Sequence, residues 1–194
     1  MFIIVGLGNP GKEYENSRHN TGRIILDAYA HKNKLDWSID KKLKALTSEH
    51  KIGREKILLL EPETFMNKSG LGIKSLITSK KKAEQLVVIY DDVDLPMGEI
   101  KIAFNRGSGG HRGLESIIKT IKTKEFIRVR VGICPTTPAG KMKKPKGENA
   151  ILDFLLGNFN KKEFEILKNT KTKAVKILDE IISEGYLKAM NSFN

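Results

Sequence analysis

The sequence predicts an α/β fold: a single domain over residues 1–194, with a twisted, mixed but largely parallel sheet flanked by helices. Short apolar runs alternate with helical patterns through most of the chain, which is typical of a parallel sheet covered by helices. No internal repeat or long low-complexity linker divides the chain. Its length therefore suits one compact domain.

Five runs of the sequence predict strands. Phe2–Val5, Lys56–Leu60 and Leu86–Tyr90 are short and apolar, and turn-forming or acidic residues follow each of them. Such runs are typical of strands that are buried on both faces. Glu99–Phe104 and Arg128–Val131 alternate between polar and apolar residues, so both are predicted strands, and we expect the first to be half-exposed.

Four segments carry apolar residues at helical spacing. Thr21–Lys34 begins with Thr21 as a plausible N-cap, and Ser69–Ile77 and Leu114–Ile121 are shorter segments of the same kind. Lys161–Glu184 is longer and places its apolar residues on one face, which predicts an amphipathic helix.

The chain has a strong excess of positive charge. It contains 35 Lys and Arg against 23 Asp and Glu, a formal net charge of +12. An excess of this size favours the capture of polyanions, and nucleic acid is the expected partner. The apolar run at the N-terminus is far too short for a signal peptide or a membrane span, so we expect a cytoplasmic protein with no membrane association.

Polar residues follow three of the predicted strands. Asn9 follows the first, Asn67 the second, and Asp91 comes directly after the third. In an open parallel sheet, ligands bind beyond the carboxyl ends of the strands. If these strands are neighbours, the three side chains share one site.

A histidine in a polar loop is the best candidate for a catalytic base. His19 lies between Arg18 and Asn20, and its ordinary pKa of about 6.5 suits general-base chemistry. Such a base needs a carboxylate to orient its ring, and Asp91 is the best-placed candidate. A glycine-rich loop delivers a second histidine, His111, with Arg106 and Arg112 positioned for an anion.

Two other chemistries stay open at this point. Gly6-x-Gly8-x-x-Gly11 after a strand matches the dinucleotide fingerprint, but that motif needs a helix that opens at the glycines. Asp91, Asp92 and Asp94 could bind a divalent metal together with His19 or His111. No Gly-x-Ser-x-Gly motif is present, so attack by a water molecule is preferred to attack by a serine.

Six motifs in series resemble the bacterial-type peptidyl-tRNA hydrolase family, and the resemblance covers essentially the whole chain. The motifs are Gly6-Leu7-Gly8-Asn9-Pro10-Gly11 with Tyr14 and Arg18-His19-Asn20, Phe65-Met66-Asn67-x-Ser69-Gly70, Asp91-Asp92-Val93-Asp94-Leu95-Pro96, Gly109-Gly110-His111-x-Gly113-Leu114, Arg128-Val129-Arg130-Val131-Gly132, and Phe154-Leu155-Leu156-Gly157-Asn158-Phe159, which resembles the family's lid segment.

The resemblance implies an enzyme that cleaves the ester between a peptide and tRNA and recycles peptidyl-tRNA dropped by ribosomes. It implies a monomer that needs no metal and no cofactor. It also implies that His19 is the general base and that Asp91 stabilises its proton-accepting form. Asn9 is the third implied catalytic residue, and it also helps to distinguish N-blocked from free aminoacyl-tRNA. The implied contacts with the peptide and the end of the tRNA are Asn67, Tyr14, Phe65 and Met66.

One residue departs from the family's pattern. Arg112 stands where the family usually has asparagine, between His111 and Gly113. A guanidinium is permanently charged and only donates hydrogen bonds, although it can reach a peptide carbonyl or a phosphate. We expect His111 and Arg112 to contact the substrate. A non-catalytic RNA-binding member of the same superfamily is the alternative function.

Overall fold

A computed structural model describes all 194 residues, and its centre is a seven-stranded sheet in the order β2-β3-β4-β1-β5-β7-β6. The strands are β1 (Phe2–Gly6), β2 (Ser38–Asp40), β3 (Ala45–Ile52), β4 (Glu55–Pro62), β5 (Leu86–Pro96), β6 (Ile100–Phe104) and β7 (Ile127–Cys134). The pairs β4-β1, β1-β5 and β5-β7 are parallel, and the outer pairs are antiparallel. The predicted mixed, largely parallel sheet is confirmed.

Helices cover both faces of this sheet. The α-helices are α1 (Thr21–Lys32), α2 (Lys80–Ala83), α3 (Arg112–Ile121), α4 (Glu148–Leu156), α5 (Lys161–Glu184) and α6 (Tyr186–Phe193), and 3-10 helices span Lys12–Tyr14, Arg18–Asn20 and Met66–Ile73. None of the helices combines the length and the apolar character that crossing a bilayer requires.

The alternating side chains of the central strands form two cores. Ile4 and Ile89 belong to a cluster that includes residues of α1, α5 and α6, whereas Val5 and Val88 belong to a second cluster with residues of α3 and the 3-10 helix at Met66–Ile73. Because successive side chains on a strand point to opposite faces, each strand contributes to both clusters. The continuous apolar runs of the sequence are explained by this burial.

One predicted helix was wrong in detail. The helix expected over Ser69–Ile77 is a 3-10 helix that starts earlier, at Met66. The strand expected to be half-exposed, β6, buries Ile100 and Ile102 on one face, as its alternating pattern predicted. The helix α6, which was not predicted from the sequence, packs on that face, with the rings of Phe104 and Tyr186 stacked 4.8 Å apart.

Glycine lets α1 approach β1 very closely. A Cβ atom on Gly22 would lie 2.4 Å from the Leu7 nitrogen and 2.3 Å from the Ile89 carbonyl oxygen. No side chain fits there, so the start of α1 rests directly on the ends of β1 and β5. This packing brings the 3-10 turn at Arg18–Asn20, which precedes α1, over the carboxyl edge of the sheet.

Candidate active site

Asp91 lies where β5 extends beyond β1. The last residue of β5 that pairs with β1 is Ile89, and the strand continues alongside β7 to Pro96. The predicted strand end at Tyr90 was therefore too early, because pairing with β7 continues the strand. Asp91 points to the same face as Ile89, which is the face that α1 covers, and only 3% of the residue is exposed.

His19 and Asp91 meet as the sequence pattern predicted. The Nδ1–H group of His19 donates to both Asp91 carboxylate oxygens, at 2.9 and 3.1 Å, across 72 positions of the chain. The other ring nitrogen of His19, Nε2, makes no hydrogen bond within the protein, and His19 lines a cleft of about 730 Å³. A ring held through Nδ1 and open at Nε2 is arranged to take a proton from a molecule in the cleft.

His111 contacts the same carboxylate from the opposite side. Its Nδ1 accepts hydrogen bonds from the backbone N–H groups of Gly113 and Leu114, at 3.1 and 3.3 Å, and so caps α3. An accepting Nδ1 carries no proton in the neutral ring, so the proton resides on Nε2. The Nε2–H group then donates to Asp91 Oδ1 at 3.3 Å.

Burial and hydrogen bonding act in opposite directions on this cluster. Burial alone would lower the pKa of His19, but the charge of Asp91 and the hydrogen bond to it outweigh burial, and the net pKa is raised. Burial alone would raise the pKa of Asp91, but His19 and His111 outweigh it and hold the pKa well below its usual range. Asp91 therefore stays ionised beside two N–H donors.

Asn9 is held from three sides. Its backbone N–H donates to the side-chain oxygen of Asn20 at 2.8 Å, and its carbonyl accepts from the Asn20 side-chain amide at 2.9 Å. Its own Oδ1 accepts from the backbone N–H of Met66 at 2.8 Å. The Nδ2 group of Asn9 makes no hydrogen bond within the protein and is not sealed from solvent. It is available to donate to a ligand.

The other expected substrate contacts differ in how much of each side chain is exposed to solvent. Met66 is buried in the second core cluster, so most of its surface already contacts protein. Phe65 is 59% exposed, and Asn67 is also exposed at the start of its 3-10 helix. Tyr14 lies half-buried in the 3-10 turn at Lys12–Tyr14 and makes no side-chain hydrogen bond. None of these four residues lines the cleft beside His19.

Arg112 does line that cleft, together with Arg106 and the apolar side chains of α4. The guanidinium of Arg112 is half-exposed, and its Nη2 group lies 3.4 Å from a carboxylate oxygen of Glu148 on α4. Its positive charge opposes protonation of His19. Arg112 therefore lines the cleft, lies beside α4 and lowers the pKa of His19 through its charge.

The aspartate-rich metal site is not supported by the side-chain geometry. Asp92 accepts from Arg130 Nε at 2.8 Å, and Asp94 pairs with Lys144, so both are directed away from Asp91. His19, Asp91 and His111 do bring possible ligand atoms within 4.8 Å of one another. In this arrangement the two ring nitrogens that face Asp91 lie at hydrogen-bond distance from its carboxylate, so the three side chains satisfy one another.

The dinucleotide motif also lacks its required helix. After Gly11 the chain forms two short 3-10 turns, and α1 begins only at Thr21. Gly6 and Gly8 approach α1 or the turn before it; for instance, a Cβ on Gly8 would lie 2.6 Å from the Arg23 side chain. The fingerprint is therefore a packing motif here.

Two supporting residues were not assigned from sequence. Asn20 holds the backbone of Asn9 through two hydrogen bonds, and Tyr90 packs edge-on against His111 with ring centroids 5.0 Å apart. The only signal for either was its position next to a catalytic candidate, His19 or Asp91. Both act through contacts with residues that are distant in sequence.

Comparisons with known proteins extend over the full chain. A sequence profile of the family described as "Peptidyl-tRNA hydrolase" matches residues 3–194. The peptidyl-tRNA hydrolase of Shouchella clausii is 38% identical over 196 residues, with 100% of each chain covered. That of Carboxydothermus hydrogenoformans is 41% identical, with 100% of this chain and 98% of that protein covered. The crystal structure of the Acinetobacter baumannii peptidyl-tRNA hydrolase aligns with a TM-score of 0.87 at 28% identity, covering 100% of this chain and 94% of that chain.

Proposed function

The chain belongs to the peptidyl-tRNA hydrolase family and hydrolyses peptidyl-tRNA, and we propose that His19 is the general base of this reaction. The observation that carries the proposal is the orientation of its ring, with Nδ1 on Asp91 and Nε2 free at the cleft. Asp91 holds the ring and stabilises the imidazolium that forms when Nε2 takes a proton.

The proposed reaction is a single ester hydrolysis. A water molecule gives a proton to His19 Nε2 while its oxygen attacks the acyl carbon of the peptidyl ester. The tetrahedral species collapses, the bond from that carbon to the ribose oxygen breaks, and His19 returns the proton to the ribose oxygen. The products are a peptide acid and a tRNA with a free terminal hydroxyl.

Neutral amides are proposed to hold the reacting group. The free Nδ2 group of Asn9 can donate to the ester carbonyl as negative charge develops on its oxygen, because its orientation is already determined by Met66. Asn67, at the start of the neighbouring 3-10 helix, is proposed to hold the peptide backbone. Phe65 and Tyr14 are proposed to contact the end of the tRNA, since aromatic side chains stack on unpaired bases.

His111 is proposed to act mainly through Asp91. Its side chain is only 8% exposed and both ring nitrogens are engaged within the protein, so direct binding of substrate is a minor part of its role. Arg112 retains a half-exposed guanidinium, which supports a contact with a substrate carbonyl or phosphate. Met66 is proposed to offer the substrate only its small exposed edge.

The RNA contacts are proposed to follow the charge of the chain. A net charge of +12 supports salt-sensitive, sequence-independent contacts with tRNA phosphates near the acceptor end. We further propose a monomer that needs no metal, and, since its substrate arises on ribosomes, action in the cytoplasm. The mutual hydrogen bonding of His19, Asp91 and His111, which satisfies these side chains without an ion, supports the proposal on metal independence.

A tRNA-release assay on N-acetyl-aminoacyl-tRNA tests this proposal. His19→Ala is expected to lose at least about a hundredfold in kcat/KM, the low end of general-base contributions. His31→Ala, which removes an exposed histidine on α1, is the matched control and is expected to retain native activity. Near-native turnover by His19→Ala would refute the proposed mechanism.

Two further experiments test the alternative functions, a metal-dependent hydrolase and a non-catalytic RNA-binding protein. Treatment with excess EDTA is expected to leave kcat unchanged, and loss that added metal restores would favour the metal reading of the histidine–aspartate cluster. Binding of tRNA without release of the acyl group, at high protein concentration, would favour a non-catalytic RNA-binding role. No observation on this chain favours that role.

A further inference from the structure

We propose that Arg18 is a positioning residue that attaches the carboxyl end of α4 to the turn carrying His19, so that the position of α4 and the placement of the base depend on each other. This inference rests on the proposed role of His19. Arg18 is expected to affect kcat through the position of His19 and not by contact with the substrate.

The helix α4 is a weakly held wall of the cleft. None of its residues is buried, and Ile151, Leu152 and Leu155 line the cavity beside His19. Glycines flank the helix on both sides, and Gly147 has a φ of +88°. An element with few buried contacts opens at low free energy, so its position depends strongly on the contacts that remain.

Backbone hydrogen bonds attach the end of α4 to the catalytic turn. The N–H of Arg18 donates to the carbonyl of Gly157 at 3.0 Å, and the N–H of Phe159 donates to the carbonyl of Asn16 at 3.1 Å. Ser17 and Asn158 form an isolated antiparallel bridge between these bonds. The segment after α4 therefore runs antiparallel to the segment just before His19.

The Arg18 side chain extends this attachment into α4 and α5. Its Nη1 group donates to the carbonyl of Phe154 at 3.3 Å, in the last turn of α4, and its guanidinium lies 4.4 Å from the centroid of the Phe154 ring. Its Nη2 group donates to Glu163 at 2.9 and 3.2 Å. A cation at the carboxyl end of a helix is favourable, and stacking on a ring adds to it.

The same residue is built into the turn that holds the base. The carbonyl of Arg18 accepts from the Thr21 hydroxyl at 2.6 Å, and the N–H of Asn20 donates to the carbonyl of Ser17 at 3.0 Å. His19 lies between these bonds. A displacement of Arg18 is therefore passed to His19, and an error of about 1 Å in a catalytic group can cost about a hundredfold in rate.

If the ion pair between Arg18 and Glu163 only stabilised the fold, the expected result would be different. Breaking it would lower the melting temperature but leave kcat per folded molecule unchanged. The positioning role predicts a loss in kcat with little change in KM, measured well below the melting temperature.

The test compares Arg18→Gln and Arg18→Lys with Ile181→Val, a destabilising change at a core residue that does not line the cleft. For hydrolysis of N-acetyl-aminoacyl-tRNA, Arg18→Gln is expected to lower kcat at least about tenfold with KM changed less than about threefold. Arg18→Lys is expected to lie between, because lysine keeps the charge near Glu163 but not the planar, stacked fork. Ile181→Val is expected to lower the melting temperature and keep native kcat.

Phe154→Ala provides a second route should Arg18→Gln fail to fold. It removes the ring from the guanidinium without altering the catalytic turn, and it is expected to lower kcat. In the double variant with Arg18→Lys, the losses are expected to be less than additive, because both changes break one connection.

Native kcat in Arg18→Gln or in Phe154→Ala, or fully additive losses in the double variant, would overturn the positioning role. That failure is distinguishable from failure of the proposed function. An inactive His19→Ala beside a fully active Arg18→Gln would remove only the role of Arg18, whereas an active His19→Ala would remove the base that Arg18 is proposed to place.

Discussion

The side-chain oxygen of Asn9 accepts a hydrogen bond of 2.8 Å from the backbone N–H of Met66, which lies 57 positions further along the chain. This bond determines which end of the Asn9 amide is left without a partner in the protein. Since the oxygen is engaged, the Nδ2 group points outward as a donor. The pair thus ties the exit of β1 to the 3-10 helix that follows β4.

Replacing Asn9 separates these two functions of its side chain. Asn9→Asp keeps an oxygen for Met66 but replaces the free donor with a charged acceptor. We expect kcat to fall at least about a hundredfold, the usual loss for one oxyanion donor, with little change in melting temperature. Asn9→Ala additionally leaves the buried Met66 N–H unpaired, and it is expected to cost about 1–3 kcal/mol in unfolding free energy.

Turnover assays and thermal melts on both Asn9 variants provide the measurement. Native kcat in Asn9→Asp would show that the Nδ2 group does not meet the developing charge. Equal melting temperatures for the two variants would show that the bond to Met66 contributes nothing to stability.

His111 also has two separable functions. Asparagine is a good N-cap, so His111→Asn is expected to preserve the start of α3 while removing the N–H donor to Asp91. His111→Ala removes both. We therefore expect similar losses of kcat in the two variants, about tenfold or more by the low end of what a misplaced catalytic group costs, but a melting temperature that falls clearly only in the alanine variant.

Circular dichroism melts combined with the tRNA-release assay check this prediction. If His111→Asn kept native kcat, the donor to Asp91 would be dispensable. The histidine would then serve only as the helix cap.

The activity is expected to fall as the pH drops through the raised pKa of His19. The pKa of His19 is raised above its usual value of 6.5, and only the neutral ring can accept a proton, so kcat/KM rises with pH through this raised pKa. Arg112 opposes protonation of His19. Arg112→Asn is therefore expected to move the acidic limb of the profile to higher pH.

The control for this profile is Arg54→Asn, which removes an equal charge from the exposed turn between β3 and β4. The midpoint of the acidic limb is measured for kcat/KM at fixed ionic strength. An identical midpoint in native protein and Arg112→Asn would show that the Arg112 charge does not reach the base.

A buried carboxyl group outside the cleft predicts a pH-dependent stability. Burial, together with the charge of Asp27, raises the pKa of Glu61 from 4.5 to about 8, although Arg23 opposes the shift. Between these pH values the folded protein holds a proton that the unfolded chain has released. The contribution of Glu61 to the free energy of unfolding is therefore fully present below pH 4.5 and is lost as the pH rises toward 8.

Glu61→Gln removes this titration and keeps an oxygen for Arg23. We expect the variant to gain melting temperature relative to the native protein as the pH rises, with the largest gain above the raised pKa. Glu63→Gln is the matched control, since Glu63 is the exposed partner of the same arginine, at 2.7 Å. An equal pH dependence in both variants would show that Glu61 is ionised throughout.

Much of the site was predictable because its signals are local. The apolar runs of β1, β4 and β5 indicated parallel strands, and Asn9 and Asp91 stood at or near their ends. His19 was a candidate because its neighbours are polar. These signals are runs of apolar or polar residues that are adjacent in the chain, so they can be read directly from the sequence.

Other features depended on packing between distant segments. The extension of β5 past Tyr90 follows from pairing with β7. The helix α6 covers one face of β6 and was not predicted, although its apolar residues stand at helical spacing. The change of Ser69–Ile77 into a 3-10 helix beginning at Met66 is of the same kind. Local propensity is a weak preference, and tertiary contacts override it.

The sequence by itself determined the fold class, the family and the residues that can do the chemistry, because residue type and spacing set what each side chain is able to do. Only the tertiary structure decided how those residues are used: which nitrogen of His111 carries the proton, which end of the Asn9 amide is free, and which helix Arg18 holds. The reason is physical. A hydrogen bond forms within about 3 Å, and only folding brings residues from remote parts of a chain so close.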